Sequence, residues 1–127
     1  MDKVLVIGGS GFMGSHTADE LSKRGFDVTV FDIKPSPWLK ENQQMVVGDM
    51  LNIDDVSEAI NGAKYLYHFG GIADIGKAKE SPLETINQNV IGAAIAMESA
   101  QNNGIERLIY ASTMYVYSPY GSFYRAS

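Results

Sequence analysis

With 127 residues, 45% of them hydrophobic and 20% charged, the chain is long enough to bury a core as one domain of ordinary globular composition. A net charge of −5 argues against a nucleic-acid backbone as partner. The lack of cysteine removes disulfides, cysteine–zinc sites and thiol nucleophiles, and fits a cytoplasmic setting. The first strand begins at once, so no signal peptide is expected, and no apolar run approaches the ~18 residues that cross a membrane.

Lys3 to Ile7 is a continuous apolar run, the pattern of a strand buried on both faces. It leads into Gly8-Gly9-Ser10-Gly11-Phe12-Met13-Gly14 and then a helix-like segment from Ser15 to Arg24. A second strand-like run, Asp27 to Phe31, ends on Asp32. Strand, glycine turn, helix, strand and acid make up the dinucleotide-binding βαβ unit. Gly8 would allow the tight turn out of the strand, and Gly11 would let the backbone approach a pyrophosphate at the helix N-terminus, beside Phe12 and Met13. Gly14 would let the helix pack closely on the strand. Asp32 would accept hydrogen bonds from the ribose hydroxyls and oppose a 2′-phosphate, which favours NAD over NADP. Lys34, two residues on, could soften that preference. The glycines are three apart, G-x-x-G-x-x-G, which differs from G-x-G-x-x-G.

Pro35 and Pro37 mark a loop, in which Trp38 either stacks on an adenine or covers the loop against the core. Gln44 to Val47 reads as a third strand, followed by Gly48-Asp49-Met50. Asp49 could hydrogen-bond an adenine amino group, cap the next helix or close a turn. Asn52 or Asp54 caps a helix that runs through Ile60. Lys64 to Phe69 reads as a fourth strand, and Gly70-Gly71 follows it. His68 is either a core histidine satisfied by backbone or a base or ligand, and no metal cluster is expected. Lys77, Lys79 and Glu80 read as a solvated loop, and the six methionines as core filler. A longer helix runs from Pro82 to about Asn102, with Ile86, Val90, Ala93, Ala94 and Met97 as its apolar stripe. Glu106 to Ala111 is the fifth strand. The alternation predicts an α/β, Rossmann-type doubly wound parallel sheet of about five strands in the order 3-2-1-4-5, with helices on both faces. Its ligand crevice lies at the switch between strands 1 and 4.

The stretch Ser112-Thr113-Met114-Tyr115-Val116-Tyr117 completes a pattern. The chain resembles the N-terminal part of the extended short-chain dehydrogenase/reductase family, the NAD-dependent nucleotide-sugar epimerases and dehydratases. The G-x-x-G-x-x-G turn is similar to that family's fingerprint. Gly48-Asp49-Met50 resembles its adenine-binding step, and His68-Phe69-Gly70-Gly71 its segment along the nicotinamide ribose. Asn89-Val90-Ile91-Gly92 resembles its helix motif with a structural Asn, and Ser112 to Tyr117 its S-[ST]-x-x-V-Y run.

The resemblance implies NAD as cofactor, with Gly8, Gly11, Phe12, Met13, Gly14, Asp32, Asp49, Met50, Phe69, Gly70, Gly71 and Asn89 on its side. It implies Thr113 and Tyr124 as catalytic residues and a nucleotide sugar or related hydroxy or keto compound as substrate. Tyr124 is the matching acid/base, because Tyr124-Arg125-Ala126-Ser127 reads Y-x-A-S, one residue short of the lysine that lowers the phenol pKa. The bland alternative is a surface tyrosine. The expectation is therefore residues 1–127 as an incomplete cofactor domain, without the last strands and substrate lobe, and inactive alone. Ser118 in place of a common Gly, and Ala73 where some epimerases have a lysine, weigh against one specific sugar epimerisation. A non-catalytic NAD(P)-binding sensor is the rival reading. An unpaired edge at strand 5 would invite a homodimer.

Overall fold

The computed structural model describes residues 1–113 and 116. In chain order the elements are β1 (Lys3–Ile7), α1 (Phe12–Lys23), β2 (Asp27–Asp32), β3 (Gln43–Val47), α2 (Ile53–Ile60), β4 (Tyr65–His68), α3 (Ile75–Glu80), α4 (Pro82–Ile86), a π-helical turn (Asn87–Ile91), α5 (Gly92–Asn102) and β5 (Arg107–Tyr110). The strands form one parallel sheet in the order β3-β2-β1-β4-β5, as the alternation of elements predicts.

The apolar run of β1 explains its central place. Val4, Leu5, Val6 and Ile7 are at most 1% exposed, because successive side chains feed opposite layers. Leu5 and Ile7 join Phe31 and Leu66 beneath α2 and α5. Val4 and Val6 join Val28 and Val30 beneath Ala18 and Leu21 of α1. Each fully buried aliphatic side chain contributes roughly 1.5–3 kcal/mol of burial, so β1 anchors both layers.

Several local expectations change. Helix α1 starts at Phe12 rather than Ser15, with Gly11 as an N-cap that makes no side-chain bond. Asn52, not Asp54, caps α2, its Oδ1 accepting from the amides of Asp54 (3.0 Å) and Asp55 (3.3 Å). The segment with Lys77, Lys79 and Glu80 is solvated but helical, because Asp74 caps it by accepting from the Lys77 amide at 3.0 Å.

The stretch from Pro82 to Asn102 is α4, the π-helical turn and α5, and its expected apolar stripe is not the buried face. Of the stripe proposed from sequence only Ala93 is buried, whereas Ile86, Val90, Ala94 and Met97 are exposed. The buried side is Gly92, Ala93, Ala96, Ser99 and Ala100. Small residues let α5 lie close to α2 and the sheet, and the large ones are left outside. Nor is any of the five described methionines fully buried in the core. Met45 and Met50 pack at the edges of the two clusters, and Met1, Met13 and Met97 are exposed. Trp38 is 61% exposed and covers no core. No helix among the described residues is long and apolar enough to cross a membrane.

Candidate functional site

The C-terminal ends of β1, β2, β3 and β4 open into one cavity of about 410 Å³, within the range of small-ligand sites. Its walls include Gly8, Gly11, Asp32, Asp49, Met50, Phe69, Gly70 and Gly71. Eight of the residues singled out from sequence thus meet at the switch between β1 and β4.

Gly8 leaves β1 at φ +77, and a side-chain carbon there would lie 2.7 Å from the backbone of Phe69 and Gly70. Both its conformation and its neighbours require glycine. Gly14 is required by space alone, since an added carbon would come within 2.7 Å of Gly9 Cα. Gly11 differs from both. Its φ is −81, and an added carbon would meet only the Gly8 carbonyl oxygen, at an ordinary 3.5 Å. Nothing in the fold demands a glycine at position 11. As an N-cap it offers no side-chain acceptor, so the first amides of α1 are left to other partners.

Phe12 and Met13 open α1, but their side chains point away from this cavity. They line a separate groove with His16, Thr17, Glu20 and Tyr67, and Phe12 is 77% exposed. What they can offer at the turn is backbone N–H.

Asp32 ends β2 with its carboxylate held by the loops. Oδ2 accepts from the Ser10 amide at 3.0 Å, and Oδ1 lies 3.4 Å from the Lys34 amide. Asp49 closes a turn, Oδ1 accepting from the Leu51 amide at 2.9 Å, and it lines the cavity as well. Its own amide donates to Asp55 Oδ2 at 3.0 Å. Two of the alternatives open for Asp49 are therefore compatible. Met50 fits between Gly70 and Gly92, where any added side chain would run into its thioether end.

Asn89 does not line the cavity. Its Oδ1 accepts from the Ile72 amide at 2.6 Å and its Nδ2 donates to the Ile72 carbonyl at 3.0 Å. The π-helical turn carries this amide to the loop after β4 and pins the wall made by Gly70 and Gly71. Sequence reasoning missed Ile7, Phe31, Ile33, Ile72, Glu84 and Gln88, which also line the cavity. Glu84 Oε1 accepts from Gln88 Nε2 at 2.7 Å. The apolar wall residues are strand ends and loop flanks, and only the fold brings Glu84 and Gln88 across.

Thr113 lies just past β5, is exposed and does not line the cavity. Its carbonyl accepts from the Val116 amide at 3.3 Å. Tyr124 lies outside the described residues, as do Tyr117 and Tyr120. Among the described residues no three His, Asp or Glu side chains gather as metal ligands.

His68 ends β4 at 1% exposure, beneath Gly70, with its ring stacked on Tyr110 at 5.7 Å. The expected backbone partner is absent, since neither ring nitrogen is hydrogen-bonded among the described residues. Burial pushes its pKa below the ordinary 6.5. Folding then favours the neutral ring, so its contribution is complete above pH 6.5 and is lost as the pH falls through the lowered folded value. Thermal melts from pH 7.5 to 5 should show the midpoint falling with acid. His68→Phe should flatten that slope, and an unchanged slope would mean that other groups carry it.

The comparisons with known proteins agree with this fold. The model of the NAD dependent epimerase/dehydratase family matches residues 4–125. The bifunctional UDP-glucose 4-epimerase and UDP-xylose 4-epimerase 1 of Pisum sativum is 27% identical over 131 residues, covering 91% of this chain and 37% of that protein. A 3-beta-hydroxysteroid dehydrogenase of Mycolicibacterium neoaurum is 34% identical over 119 residues, covering 89% of this chain and 32% of its own length. Among solved structures, MoeE5 in complex with UDP-glucose and NAD superposes with a TM-score of 0.83 at 27% identity, over 91% of this chain and 38% of MoeE5. The chain spans less than two fifths of these relatives. By the match across nearly its whole length, the chain belongs to the NAD dependent epimerase/dehydratase family.

Proposed function

We propose that this chain is the NAD-binding portion of an epimerase/dehydratase-like oxidoreductase acting on a nucleotide sugar or a related hydroxy or keto compound. The observation that carries the reading is Gly11, a glycine that neither its backbone angle nor its packing requires. It sits at the mouth of a helix whose N-terminus lacks a side-chain cap, in the same cavity as Asp32. A bare backbone there suits a diphosphate, which would accept from the first α1 amides. The Asp32 carboxylate, already oriented by Ser10, would accept from the ribose hydroxyls. Asp49 and Met50 would flank the adenine, and Phe69, Gly70 and Gly71 would line the path toward the nicotinamide ribose. Asn89 would hold that wall in place. The pea relative, a UDP-glucose and UDP-xylose 4-epimerase, and MoeE5, in complex with UDP-glucose and NAD, support a nucleotide sugar as the substrate class.

When bound, NAD supplies a hydride acceptor and donor at the nicotinamide. In this reading the Tyr124 phenol removes or returns the proton on the substrate hydroxyl, and the Thr113 hydroxyl hydrogen-bonds the same oxygen. Residues 1–127 then form a cofactor domain, and the substrate-reading lobe lies outside them. In a longer protein carrying this chain, Tyr124→Phe should cut turnover by roughly 10²–10⁴-fold with NAD still bound. Retained turnover would move the acid/base role elsewhere.

The cofactor half of the reading is tested by titrating NAD and NADP into this chain and its Asp32→Ala variant by calorimetry. Charge-assisted hydrogen bonds are worth about 1.5–3 kcal/mol, so NAD should bind roughly 10- to 100-fold more weakly to the variant. NADP should lose little, because the repulsion against its 2′-phosphate goes with the carboxylate. Equal losses for both would remove Asp32 from the ribose.

A further inference from the structure

Ser10 is one of the spacer positions in G-x-x-G-x-x-G, and it ties together two segments that the spacing does not connect. Its amide donates to Asp32 Oδ2 at 3.0 Å, and its hydroxyl donates to the Lys34 carbonyl at 2.7 Å. The glycine turn thereby holds both the carboxylate at the cavity wall and the backbone that follows it. From 33 to 38 the loop has few other hydrogen bonds: the long one from the Lys34 amide to Asp32, and one from the Trp38 amide to Ser36 Oγ at 3.2 Å, internal to the loop. The Ser10 hydroxyl is therefore the strongest tie between this loop and the glycine turn.

Charges of opposite sign lie two residues apart here. Asp32 would face the ribose 2′ position and repel a phosphate on it. Lys34 is exposed, and its ammonium has no carboxylate partner among the described residues, so it is available to attract such a phosphate. Which charge governs the 2′ position depends on how residues 32 to 34 are held. We propose that Ser10 is a positioning residue that sets the preference of this site for a free 2′-hydroxyl over a 2′-phosphate, by tying Asp32 and Lys34 to the glycine turn. The proposal rests on Asp32 reading the ribose, as in the function proposed above.

Ser10→Ala removes the hydroxyl tie and leaves the amide bond to Asp32. With the loop released, the Lys34 ammonium can reach a 2′-phosphate while Asp32 is less well aimed. Loss of one neutral hydrogen bond corresponds to about two- to tenfold in affinity. NAD should weaken by that factor, NADP should hold or tighten, and the NAD-to-NADP affinity ratio should fall by about twofold or more. Ser10→Thr, which keeps a hydroxyl, should retain the original ratio. Adding Lys34→Ala to Ser10→Ala should take the NADP gain away.

The test is calorimetry of NAD and NADP with this chain and those three variants, with thermal melts to show that each is folded. A fallen ratio in Ser10→Ala, restored in Ser10→Thr, supports the proposal. An unchanged ratio, or equal weakening of both cofactors, overturns it and leaves the NAD site standing, with Ser10 merely structural. Absence of NAD binding by the unsubstituted chain overturns the proposal together with the function it rests on.

Discussion

Gly11→Val should abolish NAD binding while the fold survives. A β-branched side chain at this position stands where a diphosphate would meet the first amides of α1, and the loss should exceed about 100-fold, or roughly 2.7 kcal/mol. The backbone tolerates a side chain there, because an added Cβ meets only the Gly8 carbonyl oxygen at 3.5 Å, and φ at −81 suits any residue. Replacing glycine at an N-cap costs about 1 kcal/mol or less, a shift of a few degrees in the melting midpoint. Calorimetry and a thermal melt on the same sample separate the two effects. Undiminished NAD affinity would place the diphosphate elsewhere.

Gly14→Ala should do the reverse and damage the fold itself. In a free helix the change would stabilise by up to about 1 kcal/mol. Here the new carbon falls 2.7 Å from Gly9 Cα and 2.8 Å from the Gly8 carbonyl carbon, and both neighbours are backbone. Relief requires α1 to move off β1, which loosens Ala18 and Leu21 from Val4, Val6, Val28 and Val30. Overpacking of this kind costs about 3 kcal/mol, more than the helix gains, so the melting midpoint should fall by roughly 10 °C. A midpoint at or above that of the unsubstituted chain would mean that α1 is not seated this close. The two glycines sit three residues apart in one motif, yet one answers to a ligand and the other to packing.

What could be read in advance follows from which physical signals are local. β1 was legible because a strand buried on both faces leaves an unbroken apolar run. The sheet order followed because parallel crossovers have one hand. Gly8, Asp32 and Asp49 were legible because strand ends are where this architecture opens its crevice. The start of α1 was obscured by its cap, since Gly11 gives no Ser, Thr, Asp or Asn signal. The buried face of α5 was misjudged because size stood in for burial. Ala96, Ser99 and Ala100 are inside because the helix lies close to its neighbours, and Met97 is outside for the same reason. Glu84 and Gln88 were illegible, because no local pattern says that α4 and the π-helical turn, some fifty residues after β2, line the same cavity as Asp32. Asn89 was visible as a motif, but its work on Ile72 depends on the π-helical turn, which the hydrophobic pattern does not announce.

The central claim is that NAD occupies the cavity at the ends of β1, β2 and β4. Amide chemical shifts of the isotope-labelled chain during a titration with NAD test it most directly. The account predicts saturable shifts at Gly8 to Met13, Asp32, Asp49 to Leu51 and Phe69 to Ile72, with the outer face of α5 at Ala94 and Met97 silent. Shifts gathered instead on the groove of His16, Glu20 and Tyr67, or none at all from a folded chain, would contradict it.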